Sequence, residues 1–588
     1  MEGGDINQKD NMGRTPLGWA AESGHEEVVE ILLGRDDVDP NKPREEAGQT
    51  PLMLAACNGH EGVVKMLLAR DDVNLDILDE YGETPLSLAA YNGHEGVVKL
   101  LLGRNGIDPN QSNDEGETPL FIATLNEQEG VVKILLGQED TNPNKSGVDG
   151  QTSLFVAAYK GHEGLVKILL GRNGIDPNQS DDNGQTPLML AACNGHEGVV
   201  KMLLARDDVN LDILDEYGQT PLCVAAYNGH KEVVKILLGR NGTNPNQSDN
   251  HGQTPLMLAA CNGQEGVVKI LLGREDINPN ISDVDGKTPF IVAAFNGQEG
   301  VVKILLGRND INPNQSDNNG QTPLLGATLN GYEGVVKILL RRDDIDPNKS
   351  ANDGDSPLSL AIEHGDQGIV RMLLGRQDLD PNKPGRDGKP PLWWGAWKKD
   401  EEVVAMLLGR DDINPNKSDG DSETPLCCAA GYGYERVVKM LLGRDDVGPN
   451  TRGKDGNTPL CCAARYGHKG VMEILLGRED IKPNKSDGDG ETPLCCAARY
   501  GHEDGVKMLL GRDDVNPNTP DHSGRTPLCW AAENGHEGVV IILLARDDIN
   551  PDTADNWGQT ALSCAVRNGH TRVITLLRPP TAAAHRTD

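Results

Sequence analysis

Apolar and polar residues alternate in blocks along this chain, and residues 49–82, QTPLMLAACNGHEGVVKMLLARDDVNLDILDEYG, show the whole pattern. Leu52, Leu54, Ala55 and Ala56 form a short apolar run behind Thr50-Pro51. Threonine is a good helix N-cap, and proline fits the first helical position, where the missing N–H has no intrahelical acceptor anyway. A short helix is therefore predicted to start at Thr50-Pro51 and to stop at Asn58-Gly59. A second helix is predicted from His60-Glu61, with an acidic residue suited to a helix start and Val63, Val64, Leu67 and Leu68 at 3.6-residue spacing. The Asp/Asn-rich remainder reads as a turn. Two short helices and a loop cannot bury their apolar faces alone, so such a unit must stack on copies of itself.

The copies are present. Residues 185–218 repeat the stretch without a change. The leading threonine, or its substitute, recurs at 15, 50, 84, 118, 152, 186, 220, 254, 288, 322, 356, 390, 424, 458, 492, 526 and 560, which makes 17 repeats. A 34-residue period also suits tetratricopeptide repeats, so the pattern inside the period has to decide. T-P-L-x-x-A-A-x-x-G-H, then V-V-x-x-L-L, then a D-x-N loop, resembles the ankyrin repeat family over essentially the whole chain. The resemblance implies an all-α solenoid of about 17 stacked helix-turn-helix units with extended loops, acting as a binding scaffold without catalysis or cofactor.

Two departures from the family stand out. The residue after Thr-Pro-Leu is usually histidine there, but here it is Gly18, Met53, Ser87, Phe121 or Cys427 and never His, which puts the loop hydrogen bonds of that histidine in doubt. The loop is also one residue longer. Self-similar arrays of this kind are similar to those of filamentous fungi, some of which form the sensor half of nucleotide-binding immune-like receptors. That supplies a second expectation: a ligand-sensing portion of a receptor whose effector half is not in these residues.

Residues 1–14 read as a degenerate cap or the tail of a preceding repeat, 15–389 as a first block, and 424–578 as a second, marked by TPLCCAA. Between them, 390–423 is the irregular repeat, with three of the six tryptophans. After Arg578, Pro579-Pro580 cannot continue a helix, and 579–588 are expected to be disordered.

Composition narrows the partners. A net charge of −34 argues against nucleic acid or an anionic membrane as the main partner, and for a surface that is neutral or basic at its contact. No apolar run approaches a membrane span, and the first ten residues lack a secretory signal. An intracellular, cytoplasmic location is expected, nuclear not excluded, where the 12 cysteines stay thiols.

Candidate chemistry is sparse. Cys427/Cys428, Cys461/Cys462 and Cys495/Cys496 recur in register, but packed helices lie about 8–10 Å apart, too far for equivalent cysteines to form a disulfide or share a zinc. They read as small buried hydrophobes. Ten histidines follow the glycine that ends the first helix, and after His60-Glu61 the fourth residue on is Val64, so no H-E-x-x-H exists there. Asp412 to Glu423 nearly writes a calcium loop but has Lys417 where the sharp-turn glycine belongs. Nine Asn-x-Ser triplets, such as Asn110-Gln111-Ser112, suit turns as well as glycosylation. No metal site is expected.

The informative positions are the two between Ala-Ala and Gly. They carry Tyr91, Tyr159, Tyr227, Phe295, Trp397, Tyr432, Arg465-Tyr466 and Arg499-Tyr500. In the family that is the exposed end of the first helix, facing the groove. Tyr, Trp and Arg enriched there have the make-up of a binding hot spot. Repeat copying could have spread the same residues without selection. Trp393, four before Trp397, shares its helix face, so the irregular repeat is either a loosely packed joint or an aromatic anchor.

Overall fold

The computed structural model describes residues 5–147 and 149–578. The segment expected to be disordered, 579–588, lies outside them, as do residues 1–4. Among the described residues there are 34 α-helices and no strand, two helices to each repeat, and none is long and apolar enough to cross a membrane. The chain is an all-α repeat solenoid, divided into two compact units, Met1–Ala293 and Ala294–Asp588. The irregular repeat 390–423 lies inside the second.

Local chemistry sets each helix pair. Thr50 sits in extended backbone, and its hydroxyl accepts the Met53 N–H at 3.3 Å, with Pro51 first in the helix. Thr118, Thr186, Thr424 and Thr458 cap their helices in the same way. Inner helices such as Pro187–Cys193 bury almost every side chain, and outer helices such as Glu197–Leu204 bury Val199, Val200, Leu203 and Leu204. Within each unit, inner helices pack on neighbouring inner helices and outer on outer, so the apolar face of one repeat is covered by the next.

The position after Thr-Pro-Leu does reach the loop, without histidine. Where it is cysteine, the thiol points at a loop carbonyl: Cys461 Sγ lies 3.5 Å from Lys485 O and Cys495 Sγ 3.5 Å from Thr519 O. The histidines that open the second helix make no capping bond. Instead His230 Nε2–H donates to Cys193 O of the preceding repeat at 2.7 Å, and His502 Nε2–H to Arg465 O at 2.9 Å. The glycine that ends the first helix leaves room for this ring: Gly195 has φ +76°, and a Cβ there would lie 2.5 Å from His230 Nδ1. At Gly365, φ +83°, nothing lies within 4 Å.

Those two glycines separate backbone strain from ring displacement. Gly365→Ala is expected to cost about 1 kcal/mol, the strain of a left-handed alanine. Gly195→Ala is expected to cost about 2 kcal/mol, because the His230 ring must also leave its carbonyl. Amide exchange in the following helix of each repeat measures both. Equal costs would mean that the histidine contact adds nothing.

Loop tips are tied by asparagine. Asn178 Nδ2–H donates to Asp208 O at 2.6 Å while its Oδ1 accepts the Asn210 N–H at 2.7 Å, and Asn348 bridges to Asp378 O and the Asp380 N–H likewise. The asparagines of the Asn-x-Ser triplets 110, 144 and 178 are thus committed to the next repeat.

Candidate partner-binding surface

The variable positions fall where expected, at the end of each inner helix and beside the loop tips. Tyr91, Tyr159, Tyr227, Tyr432, Tyr466 and Tyr500 are 44–61% exposed although the Ala-Ala pair before each is fully buried. Phe295 is half-buried, because it lies over Gly326, where an added Cβ would overlap its ring.

Three candidates are placed differently from the expected exposed strip. Trp393 is only 5% exposed. Its indole stacks on Trp397 at 6.1 Å, and its N–H donates to Glu423 at 3.3 Å. Being third in the helix, it points under the next repeat rather than out of the groove. Trp397, at 39%, is the exposed ring of the pair, and Trp394 stands edge-on to both. Arg465 is turned to Asp487 at 2.8 Å, and Arg499 binds Glu491. Both carboxylates are 1% exposed, so these cations are held by the chain's own acids before any partner arrives. Burial pushes Asp487 and Glu491 above the usual carboxylate range, against the pull of the two arginines.

Between loop tips and inner-helix ends lie cavities. One of about 380 Å³ in the second unit has Tyr432 and Tyr466 as walls, Glu423 at its edge and Cys427, Cys428 and Cys462 along its floor. Burial pushes the Glu423 carboxyl up and the Cys428 thiol well above its ordinary range. All 12 cysteines are free thiols, most of them buried. Among the described residues the only cluster with metal-ligand spacing is Asp487, Glu491 and Cys496, and Arg465 and Arg499 already neutralise it. Asp412, the first residue of the calcium-like stretch, is forked to Arg410 at 2.8 and 2.6 Å.

Several residues of this surface escaped the sequence reading. Tyr81, Tyr217 and Trp557 stand 54–66% exposed at loop tips. Trp530 is stacked between Arg499, 4.0 Å from its ring centre, and Arg525, 4.6 Å. The available signal was the loop motif Asp-x-aromatic-Gly, in DEYG at 79–82 and 215–218 and DNWG at 555–558.

Comparison with known families accounts for nearly the whole chain. A family model described as "Ankyrin repeats (3 copies)" gives overlapping matches from residue 37 to residue 588, and one described as "Ankyrin repeat" matches residues 12–44. No curated protein matches the chain.

Proposed function

The chain belongs to the ankyrin repeat family, whose repeats are generally protein–protein interaction modules, and on that premise we propose that it is a non-catalytic scaffold. It holds a protein or peptide against the aromatic strip and the loop tips, through Tyr91, Tyr159 and Tyr227 in the first unit and Trp397, Tyr432, Tyr466 and Tyr500 in the second, with Phe295 at the strip's more buried point. Trp393, Arg465 and Arg499 back these rings rather than offering themselves. The partner is neutral or basic at its contact surface, in keeping with the net charge of −34. Twelve free thiols fit a reducing intracellular compartment.

One observation carries the reading: large rings half-exposed on the rigid ends of fully packed helices. Exposed tyrosine on a fixed scaffold buries much area on contact at small entropic cost. A partner is obtained by affinity capture with the intact chain. Removing Tyr159, Tyr227 and Tyr466 together, each to alanine, is expected to lower its retention at least tenfold while thermal unfolding stays nearly unchanged, since each ring is already half in water. Undiminished retention would remove the strip from the binding surface.

A further inference from the structure

A recurring pair inside the repeats shows what one of the cavities lacks. The residue just before the capping threonine and the residue eight further on face each other, and in four repeats they bind. Arg14 meets Glu22 at 3.2 Å, Arg525 meets Glu533 at 2.7 Å, Arg567 donates to Gln559 at 2.7 Å, and Arg499 holds Glu491. Glu491 also has Arg465 of the preceding repeat 3.7 Å away.

Glu83 and Glu117 occupy the position of Glu491. Eight residues on from them stand Tyr91 and Leu125, and Tyr91 also fills, for Glu117, the place that Arg465 has for Glu491. Both carboxylates therefore lack the guanidinium that the same geometry supplies further along the chain. They share a single donor group, Asn113 Nδ2, at 2.8 Å to Glu83 Oε1 and 3.2 Å to Glu117 Oε2. Glu83 Oε2 is buried with no hydrogen-bond partner. Around them lies a cavity of about 290 Å³ with the rings of Tyr81 and Tyr91 in its wall and no Lys or Arg. Burial pushes the Glu117 carboxyl above its usual range, as it does for Glu491.

We propose that this cavity receives a guanidinium group, the side chain of an arginine on the partner, bound between Glu83 and Glu117 and against the faces of Tyr81 and Tyr91. A planar fork of N–H donors matches two carboxylates and stacks on aromatic rings, which a compact ammonium does less well. Arg499, bound to Glu491 and lying over the Trp530 and Tyr500 rings, is the chain's own version of the same arrangement. The proposal rests on the reading of the strip as a partner surface, and it names the chemistry of one contact.

The test uses N-acetyl-L-arginine amide and the isosteric, uncharged N-acetyl-L-citrulline amide as probes of the full-length chain, with saturation-transfer NMR titrations. Saturable binding of the arginine probe is expected. It should weaken at least tenfold with the citrulline probe, and at least tenfold in Glu83→Gln/Glu117→Gln. In the control Glu95→Gln/Glu129→Gln, which removes the same charge from exposed carboxylates beside Lys99 and Lys133, binding should be unchanged. Equal binding of citrulline, retained binding in Glu83→Gln/Glu117→Gln, or no saturable arginine signal would each overturn the proposal. The citrulline comparison stands on the unaltered chain, so a poorly folded variant does not spare it. The tyrosine test above touches none of these glutamates: loss of partner retention there with no arginine signal here would sink the cavity alone, and the reverse result would sink the strip alone.

Discussion

Trp393→Ala is expected to destabilise its own stretch of the second unit by about 4 kcal/mol, whereas Trp397→Ala, four residues on, should cost less than about 1 kcal/mol. The two indoles are stacked, but Trp393 is 5% exposed and Trp397 is 39%. Removing Trp393 empties the place of a buried indole that packs on Trp394 and Trp397, and takes away the N–H that Glu423 accepts. That carboxyl is already pushed up by burial, so losing a donor adds to the cavity cost. Because stacked repeats contact only their neighbours, the loss is local and global melting would dilute it. Amide exchange over helices Pro391–Trp397 and Glu401–Leu408 is the appropriate measurement, and about 4 kcal/mol corresponds to an acceleration on the order of a thousandfold. Trp397→Ala should leave that exchange nearly alone and reduce partner retention. A Trp393→Ala change of less than about 1 kcal/mol would mean the repeat is a loosely packed joint after all.

The second large effect lies at Glu491. Glu491→Ala is expected to cost about 2 kcal/mol, and Glu491→Gln about 1 kcal/mol. Breaking a fully buried pair costs about 3–5 kcal/mol, but here the guanidiniums keep other company. Arg465 retains Asp487 at 2.8 Å, and Arg499 retains the Trp530 ring at 4.0 Å. The pH dependence has a definite sign. Burial raises the folded-state pKa of Glu491 above its ordinary 4.5, so the folded chain holds that proton more tightly than the unfolded chain does. The resulting stabilisation is fully present below pH 4.5 and is lost as the pH rises through the raised value. The stability of the unaltered chain relative to Glu491→Gln should therefore decline as the pH is taken upward from 4.5. Exposed forks such as Arg410–Asp412 have the opposite sign, since Asp412 is lowered: their contribution is present above 3.8 and lost below. They are common to both proteins and cancel in the difference. A difference that grows with pH instead would show that the arginines outweigh burial at Glu491.

Much of the surface could be placed from sequence because its positions are tied to local signals. Thr-Pro-Leu starts the inner helix and Asn-Gly or its equivalent stops it, so the variable residues between Ala-Ala and Gly could be assigned to the exposed end of that helix. Tyr159 and Tyr466 are found there, half in water. The same reasoning failed for Trp393. Sharing a helix face with Trp397 said nothing about which of the two the next repeat would cover. It also placed the arginines on the exposed strip: nothing near Arg465 in the sequence announces Asp487, 22 residues on, nor Glu491, 26 residues on. The histidines show the same division. Their place at the helix start is local and was legible, but the ring's partner is a carbonyl 37 residues earlier, as His230 is to Cys193.

What the sequence by itself determined is therefore the repeat: a threonine-capped helix, a left-handed glycine, a second helix, a polar loop and an apolar face that demands a copy of itself. These depend on backbone preference and hydrophobic spacing within about a dozen residues, and such preferences are written wherever the residues are. Only the tertiary structure decided which side chains meet across repeats. Arg499 with Glu491, His230 with Cys193 O, Asn178 with the next loop, and Glu83 with Glu117 but no cation all depend on how far one repeat is turned and shifted against the next. That offset is set by the summed packing of every inner and outer helix, and no local pattern carries it.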